Sequence, residues 1–302
     1  MTPTATVILI GGSGFVGRHL TDILLRNNYQ VVIVSRHHEA THHAKEASWF
    51  LNSNYNLDEL TQLFSASGPS SFVINLVGQL HDKRGEPFGP GFNEAHVELP
   101  TRLVAAMKSS SLTRLIHVSS IGAGPNAPSM YQRSKGVGEK VIKESLLNWT
   151  IVRPSVIFGR DDQFIQLFAS LCRVFPVIPL ASSTSRFQPV YVGDVALAIS
   201  QALQLESTCY QVIELAGPSV YSLKELVEVA GRTINKKPLV IPLPHTLGYL
   251  QALVFEHLPG KTLMSRDNLA SMSEDNILQN QAIQPLKYFF NINPTPLETL
   301  LP

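Results

Sequence analysis

Tyr131-Gln132-Arg133-Ser134-Lys135 sets a phenol and an ammonium four residues apart, which brings both to one face of a helix. With a serine hydroxyl they make a set suited to proton transfer at a carbonyl or an alcohol. The serine holds the substrate oxygen, the phenol gives or takes the proton, and the ammonium favours phenolate. A free tyrosine has a pKa of about 10, so such work near neutral pH needs a drop of about 3 pH units, ~4 kcal/mol. Ser119 and Ser120, at the end of the apolar run RLIHV, are both placed to supply the hydroxyl, and the residues do not choose between them. Y-x-x-x-K is common by chance. It gains weight from a glycine loop upstream, Gly11-Gly12-Ser13-Gly14-Phe15-Val16-Gly17, which follows the apolar TVILI and opens an amphipathic stretch. Gly11 permits the tight turn, Gly14 lets the backbone approach a pyrophosphate, and Gly17 allows close helix–strand packing. The first-turn N–H groups and the positive end of the helix dipole complete an anion site.

The next strand, QVVIVSR, ends in Ser35 and Arg36, with no acid where a ribose 2′-hydroxyl would be bound. A guanidinium there accommodates a 2′-phosphate, so NADP(H) is favoured over NAD(H). Arg18, one residue past the last glycine, offers a second positive group. Just beyond Arg36 lies His38-Glu39-Ala40-Thr41-His42, the H-E-x-x-H pattern of zinc peptidases. A zinc helix needs a third ligand and a substrate cleft. The remaining histidines offer no third ligand, and the stretch lies on the adenosine side. It reads as a chance match, and no metal is expected. His37 or His38 would lend the phosphate site some pH dependence.

These groups need a frame. Apolar strands are expected at 6–12, 30–36, 72–78, 114–120 and 150–159. Helices are expected at 13–28, at 96–110 with Pro100 in the first turns, and at 129–146. Alternation of the two, with strands apolar throughout, predicts an α/β fold: a Rossmann-type doubly wound parallel sheet over 1–155. A smaller proline-rich C-terminal substrate or partner lobe follows over 156–302. Its helix 194–204 and strand 210–217 should pack back on the first domain, and another helix is expected at 222–234. The stretch VIPLPHTLGYLQALVFEHLPG (240–260) reads first as core, and otherwise as pocket lining or as a surface that docks on a membrane or partner.

The 302 residues are 44% hydrophobic, enough for a sizeable core, and only 16% charged against the usual share of about 25%. A net charge of +1 gives no pull towards nucleic acid. Cys172 and Cys209 have no metal-like spacing and read as thiols in a reducing compartment. Neither a signal peptide nor an apolar run of about 18 residues is visible, so the chain reads as cytoplasmic, with peripheral membrane contact left open.

The order GGSGFVG, INLVG, VSS, YQRSK and RPSVIFG resembles the short-chain dehydrogenase/reductase superfamily in its extended or atypical branch. More narrowly, AHVELP, RLIHVSSIGA, YQRSKGVGE, IVRPSVIFGRDDQFI and FQPVYVGDVALAI are similar to the family of the NAD(P)-binding accessory subunit nine of the complex I alpha subcomplex and its bacterial relatives. That resemblance covers about residues 6–205. It implies an NADP(H)-type site at Gly11, Gly14, Gly17 and Arg36. It also implies Tyr131 and Lys135 beside the nicotinamide, Val77, Gly78 and Pro154 lining the cofactor, and Ser119 or Ser120 in the serine role. Two departures stand out. LNSNYNLDEL has Ser53 or Asn54 where an acid usually lies near the adenine, and His96 stands where many relatives carry Asn. Arg186, in SRFQPVYVGD, stands where sugar-nucleotide epimerases bind a substrate phosphate. No acid flanks the serines, which argues against dehydration. The leading expectation is an NADP(H)-dependent oxidoreductase acting on an apolar, quinone-related carbonyl or alcohol. Its rivals are a nucleotide-loaded stabiliser of a respiratory or quinone-biosynthesis complex, and a sugar-nucleotide epimerase.

Overall fold

In the computed structural model, which describes residues 5–36, 46–52, 54–257 and 264–300, the sheet grows outward from its most apolar strand. The strands are β1 (Thr6–Ile10), β2 (Gln30–Ser35), β3 (Ser48–Leu51), β4 (Phe72–Asn75), β5 (Arg114–Val118) and β6 (Asn148–Pro154). Short strands β7 (Ile157–Phe158), β8 (Val177–Leu180), β9 (Arg186–Phe187) and β10 (Val190–Tyr191) follow. β11 (Gln211–Leu215) then returns to the main sheet, and β12 (Tyr221–Ser222) and β13 (Leu239–Pro242) belong to the lobe. Seven parallel strands lie in the order β11-β6-β5-β4-β1-β2-β3. The chain reverses direction across the sheet between β1 and β4, the place where such folds open a crevice for a ligand.

Helices cover both faces: α1 (Phe15–Arg26), α2 (Leu57–Ser67), α3 (Pro90–Asn93), α4 (Leu99–Ser110), α5 (Met130–Lys143), α6 (Gln163–Val174) and α7 (Val192–Ala202). In the lobe and tail come α8 (Leu223–Arg232), α9 (His245–His257), α10 (Arg266–Ser271) and α11 (Pro285–Phe290). Strand alternation sorts the core into two layers. Val7, Leu9, Ile33, Ile74 and Ile116 face α1, α7 and α11, while Ile8, Ile10, Val34, Val73 and Leu115 face α2, α4 and α5. A third cluster, with Phe168, Ile178, Leu226 and Val240, holds the lobe together.

Three local differences from the sequence expectation have physical causes. The strand expected at 72–78 ends at Asn75, whose Oδ1 accepts the Val77 N–H at 3.1 Å and turns the chain off the sheet. The helix expected from residue 96 begins as a π-helical turn, Glu94–Glu98, ahead of α4. Pro100 has no N–H to offer the His96 carbonyl, and α5 packs in so closely there that a Cβ on Gly138 would stand 1.9 Å from that oxygen. The third difference corrects the core reading of 240–260. Within α9 only Gly248 and Ala252 are buried, and Leu247, Leu250 and Val254 are exposed. The zinc-like stretch His37–His43 and Ser53 lie outside the described residues, and no group of metal-ligating side chains occurs among the described ones.

Candidate nucleotide and active site

The glycine loop joins β1 to α1 at the crevice. Gly11 has φ +77°, and a Cβ on it would stand 2.8 Å from Val77 Cγ2. Its N–H donates to Val34 O at 2.9 Å, tying the loop to β2. Gly12 is pressed between Leu9 and Ile33, and a Cβ on Gly17 would stand 2.2 Å from Gly12 O. Gly14 is the helix N-cap, without a side-chain cap and with no acid in the first turn. No side chain therefore caps the N–H groups that open α1 at Phe15 and Val16, the groups that in such a turn can bind an anion. The Val16 side chain packs on the core and that of Phe15 lies against Gly159. Gly17→Ala should push α1 off β1 and lower stability by about 1–3 kcal/mol, the usual cost of overpacking. Denaturant unfolding measures this, and an unchanged midpoint would contradict the close approach.

At the end of β2, Ser35 Oγ lies 3.1 Å from Ser13 Oγ, joining the loop to the ribose side. Arg18 folds back over the loop, its Nη1 donating to Ser13 O at 3.4 Å. Arg36 is exposed and lies beside Tyr55, whose phenol burial pushes up while the Arg36 charge pulls it down. Sequence reasoning missed Asn52, at the tip of β3. Its side chain is buried, Oδ1 accepts the Asn56 N–H at 2.8 Å, and Nδ2 has no partner among the described residues.

The reacting end gathers the tips of β4, β5 and β6 under the start of α5. Lys135 is buried, and its Nζ donates to Val118 O at 3.0 Å and Val77 O at 3.4 Å, spanning two strand ends. A Cβ on Gly78 would stand 3.6 Å from that Nζ. Ser119 N donates to Val152 O and Ile121 N to Pro154 O, so the serines are held against the β6 tip. Neither serine hydroxyl reaches hydrogen-bond geometry with a described residue, though both are buried. By proximity, Ser120 favours the phenolate of Tyr131, whereas Ser119 favours the carboxylate of Glu139. That carboxylate is held by Arg153 at 2.7 Å and by Lys143 at 2.9 Å. The two serines thus face different partners, a distinction the sequence left open.

Protonation differs from expectation. Burial pushes the Tyr131 phenol up, the opposite of what phenolate chemistry wants, and Ser120 offsets this only in part. Burial brings Lys135 down to about 8, with Glu139 opposing. In the chain alone Tyr131 is a neutral phenol, ready as an acid rather than as a base.

Two histidines pack around this group. His96 Nε2 accepts the Gln79 N–H at 3.1 Å, so Nδ1 carries the proton and donates to Ser134 Oγ at 2.8 Å, which donates in turn to Tyr131 O. Its ring stands edge-on to Tyr131 with centroids 5.5 Å apart. His117 Nδ1 accepts from Asn75 Nδ2 at 3.1 Å, and its Nε2 is buried without a partner among the described residues. Burial and the Lys135 charge hold His96 down at about 2 and His117 at about 3.

The helix N-terminus itself is fixed from the lobe. Asp267, on α10, accepts the Met130 N–H at 2.7 Å and the Tyr131 N–H at 3.1 Å. No local motif marks Asp267, and only its position in space gives it this role. A cavity of about 1000 Å³ opens at this end, bordered by His81, Asp82, Arg84, Met130, Tyr249 and Asp267. Arg186 is not on its border: the guanidinium lies on Asp275 through bonds of 2.9 and 2.7 Å and is exposed.

The model of the NAD dependent epimerase/dehydratase family matches residues 7–216. The mitochondrial NADH dehydrogenase (ubiquinone) 1 alpha subcomplex subunit 9 of Dictyostelium discoideum is 29% identical over 255 residues, covering 83% of this chain and 69% of its own length. The ceramide reductase of Caulobacter vibrioides is 28% identical over 247 residues, 79% of this chain and 73% of its own. Among solved structures, the Thermus thermophilus UDP-glucose 4-epimerase complex with NAD superposes with a TM-score of 0.67, covering 95% of this chain and 98% of that one at 18% identity, a likeness of fold.

Proposed function

The chain belongs to the NAD dependent epimerase/dehydratase family, and from that premise we propose that it is an NADP(H)-dependent oxidoreductase of the complex I subunit-nine-like type, interconverting a carbonyl and an alcohol on an apolar, quinone-related substrate at the membrane periphery. The observation that carries the reading is the convergence of Tyr131, Ser120 and Lys135 on the crevice that the glycine loop opens. The dinucleotide fits that crevice, because Gly11, Gly12 and Gly17 leave no room for side chains and the start of α1 has no cap of its own. When bound, the nicotinamide supplies or accepts the hydride. Ser120 holds the substrate oxygen, Tyr131 donates its proton to that oxygen in the reductive direction, and Lys135 anchors the crevice floor through Val77 O and Val118 O. Val77, Gly78 and Pro154 wall the cofactor side, and Asp267 keeps the first turn of α5 in place. A relative named ceramide reductase supports a lipophilic carbonyl. The sugar-nucleotide reading draws on Arg186, whose guanidinium Asp275 occupies, and it ranks behind.

The 2′-phosphate preference rests on Arg36 and Ser35. Arg36→Asp should move the preference from NADP(H) to NAD(H), with affinity for NADP(H) falling about 10-fold or more, since an acid repels a 2′-phosphate and accepts from a 2′-hydroxyl. Titration of both nucleotides checks it, and equal wild-type affinity for the two would end the argument.

A second reading is favoured by His96, which has both ring nitrogens engaged and offers no path for a proton to leave the site. In that reading the nucleotide stays bound and the protein stabilises a respiratory or quinone-biosynthesis assembly. Homology to complex I subunit 9 supports it.

A further inference from the structure

The outer face of the C-terminal lobe is left unexplained by nucleotide binding and by the reaction. β8 and β13 pair in parallel, with Val177 beside Leu239 and Pro179 beside Ile241. Ile178, Leu180 and Val240 turn inward. Alternation therefore sends Val177, Pro179, Leu239 and Ile241 outward, and all four are exposed, Leu239 to 62%. α9 continues this face. Gln251 Nε2 donates to Pro179 O at 3.1 Å, Leu243 N donates to Leu180 O, and a Cβ on Gly248 would stand 2.5 Å from that of Ala181. Leu247, Leu250 and Val254 form one stripe along the helix and are 52%, 54% and 51% exposed. Phe175, just past α6, adds an exposed ring beside Val177. A continuous apolar surface of this kind marks an interaction site.

Charge selects the occupant. The whole chain is balanced, with 24 basic and 23 acidic residues, yet 163–193 and 229–255, which carry this face, contain no Asp or Glu. Arg173, Arg232, Lys236 and Lys237 are exposed around it. A second copy of the chain would set these cations against their own counterparts across a two-fold axis, which is repulsive. Anionic headgroups complement them, while acyl chains take the leucine stripe. No described helix is long and apolar enough to cross a membrane, so the contact lies in the interface plane.

We propose that the β8–β13 face and the outer stripe of α9 dock the protein on an anionic phospholipid bilayer. α9 also presents Tyr249, Glu256 and His257 to the cavity beside Met130, the first two from the side opposite the leucine stripe. Docking therefore brings that cavity alongside the lipid. The proposal gives the membrane-periphery part of the proposed function a surface and a lipid chemistry, and it stands whether or not the redox chemistry does.

The test is co-sedimentation with phosphatidylglycerol vesicles and with phosphatidylcholine vesicles, alongside thermal unfolding and nucleotide titration of each variant. Wild type should prefer phosphatidylglycerol by about 10-fold or more, and high salt should erase the preference. Leu247→Asp/Leu250→Asp and Lys236→Glu/Lys237→Glu should each weaken binding about 10-fold or more, with the unfolding midpoint and nucleotide affinity kept because these side chains are exposed. Failure of wild type to bind either vesicle, or binding by both variants at wild-type strength, overturns the proposal. So does a wild-type dimer that the leucine pair dissociates in the absence of any vesicle binding, which assigns the face to a second copy. None of these outcomes bears on the Tyr131 chemistry, which nucleotide turnover reads separately.

Discussion

Tyr131→Phe lowers carbonyl reduction by about 10²–10⁴-fold, the range expected for losing a positioned general acid, while nucleotide affinity stays within about twofold. The substitution removes one hydroxyl and keeps the ring, so the edge contacts with His96 and Phe92 survive and the Asp267 bonds to the α5 backbone are untouched. The fall should sit in kcat, because the proton is needed only as charge develops on the substrate oxygen. The wild-type pH profile carries the sign of Lys135. Its ammonium is cationic below about 8, so reduction should decline as pH rises through about 8, when the anchor on Val77 O and Val118 O loses its charge. Measuring nucleotide oxidation with candidate quinones and lipophilic ketones checks both statements. If Tyr131→Phe stays loaded with nucleotide and fully supports the assembly in cells, the stabiliser reading replaces the enzyme.

The glycine loop was legible because each glycine answers a local demand: a positive φ at Gly11, a 2.2 Å approach at Gly17. The parallel sheet was legible because its strands are apolar on both faces. β3 and α2 were not, since a four-residue strand with exposed ends carries little pattern. The sequence could not separate Ser119 from Ser120, because both follow the same strand and both are buried; only the surroundings differ, Ser120 lying near Tyr131 and Ser119 near Glu139. Asp267 was invisible for a different reason. Its role is to hold backbone N–H groups 136 or more residues away in sequence, and a lone acid in the first turn of a short helix announces nothing. The 240–260 stretch misled because apolar composition reports burial by something, and the something need not be the chain itself.

Acid should weaken the fold steeply, and the two buried histidines set the window. Both are held neutral in the folded chain, His96 down at about 2 and His117 at about 3, by burial and then by the Lys135 charge. Unfolded histidines take up protons below about 6.5. Above that pH neither state binds the extra protons, and the full stability is present. As pH falls below it, the unfolded chain binds two protons that the folded chain refuses, and stability is lost progressively down towards the folded values. The cost is about 1.4 kcal/mol per pH unit per group, or about 3 kcal/mol for the pair at pH 5.5. His81, also lowered by burial, adds in the same direction. Carboxylates titrate lower, so the interval between pH 7.5 and 5.5 isolates the histidines. Denaturant unfolding across that interval measures the slope. His96→Asn should remove its own share of that loss, about 1.5 kcal/mol at pH 5.5, whatever it costs in lost bonds to Ser134 and Gln79, because the slope and the absolute stability are separate readouts. A flat wild-type profile would mean that His96 and His117 accept protons in the folded chain, and the cluster holding Tyr131 would then be far more open to water than its burial implies.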